Sequence, residues 1–173
     1  PFAIPAGLDL WQSLAGEVFT IYPNDSAGGM FRSDSADVDQ VEFATPGDTW
    51  KYLDDGSDQG TAWQNLAFDN TGWCTGAEQF GYADGDEDTV IGYGGDDDNK
   101  TITTYFRKEF SVDTAADVVR LRAMVMRDDG VVAYINGTEA FRSNMPEGPV
   151  TNSTLASSQI GGGGDSAYNE IYL

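Results

Sequence analysis

The chain has 173 residues, 40% hydrophobic and 22% charged, which is typical of one globular domain and not of a disordered segment. It carries 29 acidic and 9 basic residues, giving a formal net charge of −20. Nucleic acids and anionic lipids are bound through clustered lysine and arginine, so this balance excludes nucleic-acid binding and attraction to an anionic membrane. Histidine is absent and Cys74 is the one cysteine, which removes the commonest general base and any internal disulfide.

The composition also predicts where the protein works. No apolar run approaches the roughly 18 residues of a membrane-crossing helix, so we predict no membrane span. An acidic chain that is poor in cysteine and rich in clustered carboxylates is typical of a calcium-bearing protein outside the cell. We therefore expect a secreted, extracellular or cell-surface protein.

Residues 1–45 differ in character from the rest and form a predicted N-terminal extended segment. Glu17–Tyr22 and Val41–Phe43 are predicted strands, whereas Asn24–Gly29 and Ser33–Asp39 have the composition of loops. We interpret this segment as a candidate strand donor for the remaining chain, residues 46–173.

Regular strand signals begin after Pro46. Thr101–Phe110 is rich in β-branched and aromatic residues, and Val118–Arg127 alternates apolar and polar positions as a half-buried strand does. The dipeptide Asn136-Gly137, flanked by β-rich runs, predicts a β-hairpin with a type I′ turn. Short strands separated by turns predict an all-β fold, an antiparallel β-sandwich or jelly roll.

Three strings in this part suggest a family: FGYADGDE at 80–87, TTYFR at 103–107 and RDDGVVAYING at 127–137. With them, residues 46–173 resemble bacterial extracellular accessory modules with the galactose-binding-domain-like jelly-roll fold. Such modules are found beside secreted metallophosphoesterases and glycoside hydrolases. The resemblance implies that a further strand follows the region of Glu170–Leu173, so the sandwich is expected to lack its last strand.

Acidic loops provide candidate calcium ligands. Calcium takes six to eight oxygen ligands, and two loops offer carboxylates at alternating positions around flexible backbone. The candidate ligands are Asp84, Asp86, Asp88, Asp96 and Asp98. The resemblance adds that such jelly rolls often carry a structural Ca²⁺. The alternative is that these loops are simply solvated.

Aromatic residues in loops provide candidate contacts to carbohydrate, because an aromatic face matches the apolar face of a pyranose. Tyr82 and Tyr93 lie in loops rich in glycine and aspartate, and Trp63 is a further candidate. Arg127 and Asp128 could hydrogen-bond sugar hydroxyls from the end of a strand. The alternatives are core packing for the rings and a structural ion pair for Arg127 and Asp128.

Catalysis is not expected. Without histidine, Ser–His–Asp and Cys–His schemes fail, and no nucleotide-binding or nucleophile-elbow string is present. The sequence therefore predicts a non-catalytic extracellular module, stabilised by calcium, that binds a polysaccharide or a glycan-coated surface. One alternative is a structural subunit of a surface filament or particle, in which copies of the chain associate by β-strand addition. Another is an accessory domain that packs against a catalytic partner.

Overall fold

The computed structural model describes residues 17–21, 26–35, 38–82, 85–112, 118, 121–161 and 167–173. In these residues the chain forms short strands and a single 3₁₀ turn at Ala62–Gln64. The strands are β1 Glu17–Ile21, β2 Ser26–Ser35, β3 Val38–Ala44, β4 Thr49–Leu53, β5 Cys74–Ala77, β6 Phe80–Gly81, β7 Thr89–Val90, β8 Tyr105–Phe110, β9 Leu121–Met126, β10 Val131–Ile135, β11 Thr138–Ser143 and β12 Asn169–Tyr172. The predicted all-β class is confirmed. No helix in the described part of the chain is long and apolar enough to cross a membrane.

The strands form two sheets. The first has the order β11-β10-β1-β8-β4-β5, and the second has the order β12-β9-β2-β6-β7 with β3 also paired to β2. Neighbouring strands are antiparallel except β6 and β7, which are parallel. In the second sheet β12 pairs with β9 alone among the described strands. The expected missing strand beyond β12 remains a prediction.

Strands from the N-terminal segment lie inside both sheets. β1 pairs with β10 on one side and β8 on the other. β2 pairs along Gly28–Ser33 with β9, and its other edge pairs with β3 and β6. Residues 17–44 therefore share sheets with strands from residues 46–173. Residues 1–16 lie outside the described part of the chain.

One hydrophobic core lies where the two sheets meet. Trp50, Phe106 and Ala133 come from the first sheet, and Phe80 and Val125 come from the second, and all are buried in one cluster. In β9 the odd positions Ala123 and Val125 are fully buried, as the alternating pattern predicts. Shared burial of this kind holds the sheets together through the hydrophobic effect.

A second cluster covers the opposite face of the first sheet. Side chains alternate along a strand, so Val132 and Tyr134 point away from the main core and join Trp63, Trp73 and Tyr105. The Trp63 ring packs edge-on against Tyr105 and Tyr134, at centroid distances of 5.1 and 5.6 Å. Because both faces of the first sheet are covered, all five residues of β10 are buried.

Arg107 links the first sheet to the segment that covers its opposite face. We call this segment, with Trp63, Asn65 and Phe68, the outer layer. Its side chain is 1% exposed, and its guanidinium donates to the carbonyls of Trp63 and Asn65. It also lies over the Phe68 ring, 5.3 Å from the centroid. Burial lowers the pKa of Arg107, and the charge of Glu109 opposes that shift.

The hairpin prediction is confirmed, and the two loop predictions in the N-terminal segment, Asn24–Gly29 and Ser33–Asp39, are wrong. β10 and β11 are joined by Asn136 and Gly137, whose φ angles of 49° and 84° suit a type I′ turn. By contrast, β2 runs through Ser26–Ser35, across residues that the composition assigned to loops. Its glycines disfavour a strand locally, but pairing on both edges outweighs that preference.

Candidate functional site at the loop end

Loops of both sheets meet at one end of the molecule. β4, β6, β7 and β9 finish there, and β8 and β10 begin there, as the antiparallel registers require. We call this the loop end and define it by Asp54–Asp58, Tyr82, Ile91–Thr104 and Arg127–Gly130. A hydrogen bond from the Gly92 N–H to Asp54 Oδ2 joins loops that follow strands of different sheets.

The structure brings two of the predicted carbohydrate contacts together. Tyr82 directly follows β6, and Tyr93 lies three residues after β7. Their ring centroids are 4.9 Å apart, with the ring planes inclined by 46°. Tyr82 is 8% exposed and belongs to the main core, whereas Tyr93 is half-buried and packs against that core. Only part of this pair therefore faces solvent.

Lys100 lies beside this pair, although the sequence pattern does not predict it as a site residue. Its Nζ lies over both rings, 4.6 Å from the Tyr82 centroid and 5.4 Å from the Tyr93 centroid. These distances are those of a cation–π interaction. One feature of the sequence could have identified it: Lys100 is the only basic residue between Lys51 and Arg107.

Backbone geometry folds the Tyr93–Lys100 loop back on itself. The Thr101 N–H donates to the Tyr93 carbonyl at 2.8 Å. Gly94 and Gly95 between them have φ angles of 91° and 76°, a region that favours glycine. A Cβ at position 94 would lie 3.1 Å from Thr101 Oγ1. This closure brings Lys100 near Tyr93.

Arg127 and Asp128 also lie at the loop end, but Arg127 is turned inward. It is 9% exposed, its Nε donates to Ser143 Oγ at 2.8 Å, and its guanidinium donates to the Asp129 carbonyl at 3.0 Å. Burial lowers its pKa, and the neighbouring carboxylates oppose that shift. β9 and β6 flank β2, so Arg127 and Tyr82 follow strands about 10 Å apart. The hydrogen bonds of Arg127 therefore stabilise the turn between β9 and β10.

Trp63 is not available to a ligand, and that site prediction needs correction. Its side chain is 0% exposed, and its indole Nε1 donates to the Gly60 carbonyl at 3.0 Å. The physical reason is the outer layer over the first sheet, which the sequence pattern alone did not reveal. Trp63 is a core residue of that layer.

The predicted calcium ligands are distributed over separate loops. Asp96 Oδ1 accepts the Asp98 N–H at 3.1 Å, and the Asp88 N–H donates to the Gln79 carbonyl, at the opposite end of β7 from the loop end. Asp86 is exposed, and Asp84 lies outside the described residues. Among the residues that are described, no three Asp, Glu or Cys side chains are grouped closely enough to hold a metal ion.

The loop end is surrounded by carboxylates. Asp54, Asp55 and Asp58 follow β4, and Asp96–Asp98 lie in the loop that carries Lys100. Hydrogen bonds from the hydroxyl and N–H of Ser57 lower the pKa of Asp55. This carboxylate therefore stays ionised to lower pH than an ordinary aspartate does.

Comparison of the chain with protein-family models, curated proteins and solved structures finds no match.

Proposed function

We propose that this chain is a non-catalytic extracellular module of the jelly-roll type that binds carbohydrate at the loop end. The observation that carries the proposal is the Tyr82–Tyr93 pair, which combines a buried ring with a half-buried ring where loops of both sheets meet. Aromatic side chains with polar surroundings are the usual elements of a small-molecule site. Tyr82 is fixed in the core and holds the Tyr93 ring in place. The pair therefore loses little conformational entropy when a sugar stacks on Tyr93.

The absence of a catalytic role is part of the proposal. The sequence contains no histidine. Carboxylates near the loop end are so abundant that some pair will have the spacing of a glycosidase by chance, so such a pair does not indicate catalysis. The strongest local constellation is an aromatic pair with a lysine, which suits binding.

Calcium belongs to the proposal as a stabiliser of the acidic loops. An ion would relieve repulsion among carboxylates that are close together in the sequence, and carboxylate oxygens are preferred ligands of calcium. The described residues do not by themselves form its site. Carbohydrate contact at Tyr82 and Tyr93 does not require the ion.

The proposal is tested by screening the whole chain against a glycan array. The affinity for each glycan that binds is then measured by calorimetry. Tyr93→Leu keeps an apolar side chain against the core but removes the aromatic face. We expect this variant to weaken glycan binding with a small change in melting temperature. A chain that binds no glycan, or a variant that binds as well as the parent, would contradict the proposal.

Strand exchange remains the alternative, and the position of β1 favours testing it. β1 is bracketed by β8 and β10 in the first sheet, and another copy of the chain could make the same pairings. Association of that kind would be head-to-tail and able to continue. Size-exclusion chromatography with light scattering separates the two, since the binding module works as a monomer and the filament subunit does not.

A further inference from the structure

An ammonium group already occupies the Tyr82–Tyr93 pair. Lys100 Nζ is within 6 Å of both ring centroids, the range in which the negative face of an aromatic ring attracts a cation. Lys100 itself is exposed to solvent, so it reaches the rings from outside. The pair therefore presents a place for a positive charge at the surface of the loop end.

The surroundings of this place favour cations over anions. Lys100 is the only base between Lys51 and Arg107, and its own loop carries the three consecutive aspartates 96–98. Asp54 reaches the same loop through its hydrogen bond to the Gly92 N–H. An anionic ligand would gain one attractive contact and meet several repulsive ones. A cationic ligand would meet the reverse except at Lys100, because the other base of the loop end, Arg127, is buried and donates to Ser143 Oγ and the Asp129 carbonyl.

We propose that the loop end recognises carbohydrate bearing protonated amino groups, such as oligosaccharides of glucosamine. The ligand's ammonium takes the position over Tyr82 and Tyr93 that Lys100 Nζ holds in the free protein. Lys100 is thus an internal competitor, which swings into solvent when the ligand binds. This inference rests on the proposed carbohydrate-binding function and specifies the ligand class of that site.

The direction in which one substitution changes affinity distinguishes this proposal from one in which Lys100 contacts the ligand. If Lys100 competes with the ligand, Lys100→Ala removes the competitor and strengthens binding about two- to fivefold, the gain expected for an exposed cation–π contact. If Lys100 contacts an anionic or neutral sugar, the same substitution weakens binding. Lys51→Ala is the matched control, because it changes the net charge equally from the middle of β4.

The experiment measures binding of glucosamine hexasaccharide, N-acetylglucosamine hexasaccharide and a galacturonate oligosaccharide by calorimetry at pH 6 and physiological salt. We expect preference for the first ligand, tighter binding by Lys100→Ala, no gain with Lys51→Ala, and about tenfold weaker binding by Tyr93→Leu. Thermal melts of each variant establish that it is folded.

Each other outcome overturns the inference in a recognisable way. Equal or better binding of the neutral or anionic oligosaccharide refutes the ligand class but leaves the carbohydrate-binding function standing. If Tyr93→Leu binds the glucosamine oligosaccharide as well as the parent does, or if Lys51→Ala gains as much affinity as Lys100→Ala, the ligand is attracted by the net negative charge of the protein. Either result refutes the site. Failure to bind any of the three oligosaccharides, or unchanged or weaker glucosamine binding by Lys100→Ala, refutes the inference. Only the absence of binding across the whole glycan array refutes the proposed function as well.

Discussion

Arg107 is expected to be a principal stabiliser of the outer layer over the first sheet, and Arg107→Met tests that expectation. The substitution keeps an unbranched apolar stem but removes the guanidinium. The Trp63 and Asn65 carbonyls then lose their donors, and the Phe68 ring loses the cation above it.

The size of the effect follows from the burial of each partner. The Trp63 carbonyl belongs to a fully buried residue, so its lost bond to a charged donor costs about 1–3 kcal/mol. Asn65 is exposed, so water replaces its lost donor at a cost of about 1 kcal/mol. The contact with Phe68 adds about 0.5–1 kcal/mol. Recovery of the desolvation of Arg107 offsets part of the sum, leaving a net loss of about 2–4 kcal/mol.

Equilibrium unfolding in urea measures this loss, and calorimetry should show a melting temperature about 5–12 °C lower for a chain of this size. Arg122→Met is the matched control. Arg122 pairs with Glu170 at 3.2 Å on the partly exposed face of the second sheet, so we expect a loss below about 1 kcal/mol. If the two variants lost equal stability, or Arg107→Met lost less than about 1 kcal/mol, the account of the outer layer would be wrong.

Three further predictions concern metal, pH and the buried tryptophan. Exhaustive dialysis against EDTA should lower the melting temperature, since an ion at a hundredfold excess over its Kd contributes about 2.7 kcal/mol; an unchanged melt excludes a stabilising calcium. Burial raises the pKa of Asp48, but hydrogen bonds from Lys108 and the Thr45 N–H, with the Lys108 charge, outweigh it and lower the pKa below 3.8. The folded pKa is thus the lower one, so the stabilisation is present above the unfolded value and lost as pH falls through the folded value. Asp48→Asn should cost about 0.5–1 kcal/mol at pH 7, and this cost should shrink as pH falls through the folded pKa; a cost independent of pH would refute the linkage. Trp63→Ala should lower stability by about 3–5 kcal/mol while leaving the glycan affinity of the folded fraction unchanged, and reduced affinity would return Trp63 to the ligand site.

Part of the site could be anticipated from local composition. Tyr82 and Tyr93 each lie in a loop rich in glycine and aspartate, which predicts a site near the surface, and the structure places their rings side by side. Lys100 was missed because its relation to both rings depends on a loop that closes on itself. Trp63 was misassigned because nothing in its neighbourhood along the chain reports the layer that covers it.

Local patterns in the sequence are sufficient to predict some of the strands. Alternation over Leu121–Met126 and the Asn136-Gly137 turn depend only on side-chain direction and on which residues tolerate positive φ. Long-range pairing, by contrast, places Gly28 and Gly29 in a strand, puts β1 between β8 and β10, and brings loops of both sheets to one end. Strand pairing and burial join residues distant along the chain, and their free energy exceeds the weak local preferences that sequence patterns record.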